Sequence, residues 1–430
     1  MGNLGLGLAL AEGDIALRQP GSGARVSVVA WGDSLTRGAG VSGDAFRYPV
    51  RLSAMLGGRT VVNRGIGGQT STQIAARQGG VPILVTLDGD AIPASTLWTF
   101  NWSQNTDGWY SRSGGASPAL VTVDEGDLLI AGQAASSQMG AQVRLTPLSE
   151  TLPVGTQIVV TFGLETTADT PMQVGLTSAG NASTAGSWVA GSPIGVTGSG
   201  HKSVTLSGSG GSTLALFIGT STHTFRISNL VAAATLPVAV SEKSVNVLFN
   251  SGVFTGSSLG TIAGVHGRMT TDSSGHWTFT RDDFGSAVTC PPGTPFIPDE
   301  ATSLRTHTAL IWAGRNNSGN PAAVKADIAA MIAHLGHGRY LVGAILNGGT
   351  EITGTSAHAA ITALNAELAA LYGARFVDLR AALIAAGDPT ADAADIANDV
   401  MPASLRSDHI HLNDAGYGVV AEAIRRRLAG

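Results

Sequence analysis

Two stretches patterned as strand, turn and helix lie at opposite ends of this chain, and a long run of a different kind separates them. From Arg25 to about Gly79 the order is a strand "RVSVVAW", a helix "FRYPVRLSAML", a strand "TVVNRGI" and a helix "STQIAARQ". The β-branched run and the helical spacing of apolar residues are what a buried parallel strand and its crossover helix require. From Val81 to about Thr306 the chain turns to short runs such as "TQIVVTFGLE", "STLALFIG" and "HWTFTRDD", broken by Gly, Ser, Thr, Asn and Asp. Period-two runs with frequent turn signals predict a sandwich or jelly roll. After Thr308 the first pattern resumes, and "NDAGYGVVAEAIRRRLAG" reads as a last helix capped by Asn413 or Asp414.

The fold class expected is therefore α/β: a three-layer α/β/α sandwich with a parallel sheet, interrupted by an all-β insertion containing a jelly-roll or β-sandwich domain. The predicted boundaries are 25–80 and 307–430 for the discontinuous α/β domain. A small β subdomain spans 81–96 and 237–306, and a jelly roll resembling a carbohydrate-binding domain spans 97–236. Four tryptophans of the inner block, Trp98, Trp102, Trp109 and Trp188, are candidate sugar-stacking residues, although a buried Trp is commoner than an exposed platform.

Composition narrows the function classes. The chain has 430 residues, a formal charge of −5 and only 13% charged residues, so no basic stripe points to nucleic acid. Cys290 is the single cysteine, which leaves no intrachain disulfide and no cysteine-based metal cluster. No apolar run is long enough to span a bilayer. Residues 1–24 lack the basic start of a secretory leader and are read as a possible docking segment. No metal and no cofactor is expected.

The chemistry-bearing residues gather in four segments of the α/β part. Ser34 in "AWGDSLT" follows the first strand, and Gly67 and Gly68 in "NRGIGGQTS" follow the second. "WAGRNN" offers Asn316 after the third, and "SDHIHLND" places Asp408 three residues before His411. A parallel sheet presents its ligands at the carboxyl edge of its strands, where the first three of these segments begin. Each segment has an ordinary reading when taken alone: a serine capping a helix, a Gly-Gly turn, an amide in a loop. Together they supply a nucleophile, a base oriented by a carboxylate, and donors for an oxyanion. A helical turn would bring Asp408 and His411 onto one face. His409, beside Asp408 in sequence, is the weaker choice of base, because its ring would point the other way.

"GDSLT", "NRGIGGQT", "AGRNN" and "DHIH", in this order, resemble the blocks of the SGNH or GDSL-type hydrolases, a family of esterases, lipases and carbohydrate O-deacetylases. The resemblance covers roughly residues 25–79 and 308–430. It implies Ser34 as nucleophile, Asp408 and His411 as the rest of a triad, and an oxyanion hole from Ser34, Gly68 and Asn316. One departure stands out: the third block of the family ends in Asp, and here that place holds Asn317. The expected function is a serine esterase that removes acyl groups, acetyl foremost, from a carbohydrate or cell-surface polysaccharide. Two alternatives remain: a lipid esterase or thioesterase, and a glycan-binding or adhesion protein, such as a virion tail component, on a hydrolase scaffold. The expected setting is extracellular or virion-associated.

Overall fold

The computed structural model describes residues 26–100, 102–113, 119–133, 139–146, 151–153, 156–178, 187–207, 210–248, 256–272 and 274–429. The expected docking segment, residues 1–24, lies outside them. The chain divides into two compact units, Met1–Pro82 with Val245–Val253 and Glu300–Gly430, and Ile83–Ser244 with Phe254–Asp299.

The first unit is built on a five-stranded parallel sheet, in the order Val61–Gly65, Val28–Gly32, Thr308–Trp312, Tyr340–Gly343, Phe376–Val377. Val28–Gly32 and Thr308–Trp312 are buried at every position, which suits their unbroken apolar sequence. Gly32 pairs level with Gly65 on one side and Trp312 on the other. Three loops therefore leave the sheet at the same edge and height: the loops beginning at Asp33, at Ile66 and at Ala313. Among the helices, Tyr48–Met55 packs with Asp414–Ala429, and Ser71–Gln78 packs with Pro321–Leu335. Thr70 starts the helix Ser71–Gln78 with a capping box to Gln73, and Asn320 caps Pro321–Leu335 with the proline in its first turn.

The second unit is antiparallel. One sheet carries Gly200–Ser207, Gln157–Thr166, Thr224–Thr235, Asp127–Ala131 and Leu120–Asp124 in that order, with Thr96–Thr99 beside Thr224–Thr235. A second runs Ile194–Val196, Met172–Thr177, Thr213–Gly219, Met139–Arg144, Tyr110–Ser113. Their alternating residues meet in one core that includes Phe162, Phe225, Leu216 and Val174. The flanking residues form a closed barrel of Ile83–Leu87, Val238–Lys243, Gly256–Ile262, Val265–Thr271, Trp277–Arg281 and Thr294–Pro298. Closure leaves none of these strands with an unpaired edge.

The expected fold class is corrected. Among the described residues strand accounts for 36% and helix for 27%, and only one sheet is parallel. The chain is predominantly antiparallel β, because the Gly-, Ser- and Thr-punctuated run from Ile83 to Asp299 contributes most of the strands. The helices and the chemistry-bearing segments share the first unit, and most of the strands lie outside it. The boundaries differ as well: Val245–Val253, expected in the small β subdomain, belongs to the first unit.

Candidate active site

Ser34 is the first residue of a single-turn helix, Ser34–Arg37, that follows the strand Val28–Gly32 directly. Asp33, not Ser34, is the cap: its Oδ1 accepts from Leu35 N at 2.9 Å. The short helix sits tightly on its neighbours. A Cβ at Gly65 would lie 2.0 Å from Arg37 N, so only glycine lets the second strand pass beneath it.

The histidine arrives from the far end of the sequence. Residues 406–412 form a closed turn, with Arg406 and Leu412 bridged and Ser407 N donating to His411 O at 2.9 Å. Asp408 Oδ1 accepts from Ile410 N and His411 N, each at 2.8 Å, and Asp408 Oδ2 lies 2.7 Å from His411 Nδ1. The expected helical turn is replaced by an Asx-type turn in which one carboxylate oxygen organises the backbone and the other holds the ring. His411 Nε2 then stands 2.9 Å from Ser34 Oγ. Two further bonds tie the loop after Ser34 to the helix after His411: Ser42 N donates to Asp414 Oδ1 at 2.9 Å, and Tyr417 Oη donates to Ala39 O at 2.8 Å. Asn413 Oδ1 caps that helix by accepting from Gly416 N at 3.1 Å. His409 is exposed and lies against Gly348, away from Ser34's partner.

The candidate oxyanion donors come from the other two loops. Gly68 has φ +76°, a left-handed conformation that glycine adopts without strain. Among the described residues, neither Ser34 N nor Gly68 N has an internal hydrogen-bond partner. Asn316 is exposed, and its Nδ2 donates to Gln69 O at 2.8 Å, which fixes it to the residue after Gly68. Its second contact, to Asp33 Oδ2, is a long 3.4 Å. Beside it, Arg315 and Glu351 form a bidentate pair at 2.8 and 3.0 Å, and burial of Glu351 is outweighed by Arg315 so that its carboxyl stays below the usual range.

The two carboxylates next to the serine and histidine are driven in opposite directions. Burial raises Asp33 to about 6, against weaker opposing effects from the Leu35 N–H and from His411. For Asp408, burial is outweighed by the hydrogen bonds from His411 N, Ile410 N and the His411 ring, which hold it at about 2. An acceptor that stays ionised at neutral pH can keep the proton on His411 Nδ1 and leave Nε2 free to accept one from Ser34.

One contributor has no signature in the sequence. Gln69 Nε2 donates to Val247 O and Gln73 Nε2 donates to Asn246 O, both at 2.9 Å. The residues around Gly68 are thus anchored by the backbone carbonyls of Asn246 and Val247, which no side-chain pattern announces. Among the described residues no cluster of His, Cys, Asp or Glu is placed to hold a metal, and no helix is long and apolar enough to cross a membrane.

The tryptophans do not form one platform. Trp102 and Trp109 are each 2% exposed and pack edge to face on one another and around Phe100, so these two expected sugar-binding residues are core residues. Their large apolar rings are stabilised more by burial than by waiting for a ligand. Trp98 is half-buried and donates to Leu145 O at 3.1 Å. Trp188 is half-buried beside Phe217, over the outward face of the strand Met172–Thr177, where it packs against Gly175.

No family model matches the chain, so the SGNH resemblance rests on the four motif blocks. A curated relative, the tail spike protein of Salmonella phage epsilon15, is 29% identical over 154 residues, which is 31% of this chain and 14% of that protein. The chain therefore spans about a seventh of that relative's length. Among solved structures, the CBM22-1 xylan-binding domain from Paenibacillus barcinonensis Xyn10C aligns with 33% of this chain and 96% of its own, at 16% identity and a TM-score of 0.24. A family 29 carbohydrate-binding module aligns with 32% of this chain and 88% of its own, at 13% identity and a TM-score of 0.23. Likeness at these scores says nothing about a ligand.

Proposed function

We propose that this chain is a serine hydrolase of carboxylic esters that deacylates a glycan, and that it works as part of a phage tail assembly. The observation that carries the hydrolase reading is the unbroken chain from Ser34 Oγ to His411 Nε2 at 2.9 Å and from His411 Nδ1 to Asp408 at 2.7 Å. Ser34 Oγ attacks the ester carbonyl while its proton passes to His411 Nε2. The oxyanion is met by Ser34 N, Gly68 N and Asn316 Nδ2. His411 returns the proton to the departing alkoxide, and water, deprotonated by the same ring, frees Ser34 from the acyl group.

The tail-spike similarity supports the virion setting, and the four motif blocks, which resemble those of a family that includes carbohydrate O-deacetylases, support a glycan as the acyl carrier. Hydrolysis of 4-nitrophenyl acetate by the purified chain, and its loss on Ser34→Ala, tests the chemistry; equal activity of the variant refutes it. Release of acetate from acetylated polysaccharide in excess of release from lipid esters tests the substrate class.

A second reading is favoured by the tail-spike match: a glycan-binding virion component without turnover. Glycan binding that survives Ser34→Ala, with no ester hydrolysis by the wild type, would select it.

A further inference from the structure

The two oxyanion donors outside Ser34 sit on different loops, so their spacing depends on what ties the loops together. Asn317 provides the tie: its Oδ1 accepts from Ser71 N at 3.0 Å and its Nδ2 donates to Ser71 Oγ at 2.9 Å. A hydroxyl that has accepted one hydrogen bond still has its own proton to place. Ser71 is fully buried, and its Oγ donates to Asp327 Oδ2 at 2.5 Å; Thr72 Oγ1 donates to the same oxygen at 2.8 Å. Asp327 is 6% exposed on the helix Pro321–Leu335. Among the described residues it has no ion-pair partner. A carboxyl group is costly to bury, and this one spends both of its hydrogen bonds on the helix that begins just after Gly68.

We propose that Asp327 is a positioning residue for the oxyanion hole, acting through the Ser71 hydroxyl in place of the carboxylate that position 317 lacks. Asn317 supplies the acceptor for Ser71 N–H, and Asp327 supplies the acceptor for Ser71 Oγ–H. Together they do what a single aspartate at 317 would do alone. The loop of Gly68 is thereby held against the loop of Asn316. The inference rests on the hydrolase reading above and deepens it.

The test uses the full chain, 4-nitrophenyl acetate, and a fluorophosphonate to count reactive Ser34 sites. Asp327→Ala, which removes the acceptor outright where an asparagine oxygen could still take both hydroxyl hydrogens, is expected to lower kcat per site by about 10- to 100-fold with KM within about twofold, since a small misplacement of a catalytic group costs that much. Asn317→Asp combined with Asp327→Ala is expected to recover kcat to within about threefold of wild type, because an aspartate at 317 can accept both Ser71 hydrogens. Should Asp327→Ala fail to fold, Ser71→Ala removes only the relaying hydroxyl and is expected to give the same kcat loss. A purely structural carboxyl would lower the thermal midpoint and the number of sites while leaving kcat per site unchanged. That result, or a double variant that stays slow, overturns the inference alone. A wild type that neither hydrolyses the ester nor takes the label overturns the hydrolase reading and this inference with it.

Discussion

Replacing Asp408 with asparagine is the sharpest probe of the proposed triad, because the structure dictates which way the new amide must face. Asp408 Oδ1 accepts from two backbone N–H groups at 2.8 Å, and an amide nitrogen cannot take that place. The asparagine oxygen therefore occupies the Oδ1 position, and its NH2 points at His411 Nδ1, where Oδ2 lay at 2.7 Å. Nδ1 becomes an acceptor, the ring proton moves to Nε2, and the nitrogen beside Ser34 can no longer accept a proton. The expected loss in kcat is about 1,000- to 10,000-fold, or about 4–5.5 kcal/mol of barrier, with the turn intact. Raising the pH should not restore the rate, because the neutral ring is held in the wrong tautomer. Asp408→Ala frees the tautomer and should be no slower than Asp408→Asn. Steady-state kinetics on 4-nitrophenyl acetate, with circular dichroism to establish folding, measure this directly. An asparagine variant that keeps more than about a tenth of the wild-type kcat would refute the assignment of Asp408 as the group that orients His411.

Asp33 predicts a trade between stability and rate. Its folded pKa, about 6, lies above the ordinary 3.8, so the folded chain binds the extra proton between those values and stability falls as pH rises through that window. Asp33→Asn should flatten that slope in pH-dependent thermal melts and, at pH 8, gain up to about 3 kcal/mol, from about 1.4 kcal/mol per unit. It should also lower kcat, because the new amide would meet Asn316 Nδ2 donor to donor; unchanged melts across pH 4–7 would sink the argument. In the second unit, Trp102→Ala should cost about 3–5 kcal/mol in denaturant unfolding, as for other large buried rings. Trp188→Ala should leave the unfolding midpoint nearly in place and weaken binding to acetylated glycan in affinity electrophoresis; the reverse pattern would mean that the burial of these rings has been misassigned.

How much of this was legible in sequence depends on what kind of atom does the work. The roles proposed for Ser34, Asn316, Asp408 and His411 are side-chain roles, and the first two lie in the loops that follow strands, so their residue types and order pointed to one edge of one sheet. The turn that joins Asp408 to His411 was expected to be helical, because three-residue spacing is shared by a helix and by an Asx-type turn; only the two backbone N–H groups on Asp408 Oδ1 separate them. The anchoring of Gln69 and Gln73 by Val247 O and Asn246 O was invisible, since a carbonyl has no sequence signature. Trp102 and Trp109 differ from the expectation for another reason: both lie between strands, where aromatic identity does not reveal whether a ring folds back into the core. The class of the whole chain differs from the expectation because the chemistry-bearing motifs are concentrated where strands alternate with helices, while most of the strands lie where they do not.

The return of Val245–Val253 to the first unit gives the chain a topology closer to weaving than to stringing. The backbone passes from one unit to the other at Pro82, Ser244, Val253 and Asp299, so neither unit is a single excisable stretch. A chain spliced directly from Pro82 to Glu300 would keep all four motif blocks and still lose the carbonyls that hold Gln69 and Gln73, beside a candidate oxyanion donor. The β part therefore cannot be treated as a cassette added to a finished α/β unit. Part of the first unit's working surface is encoded inside the interruption.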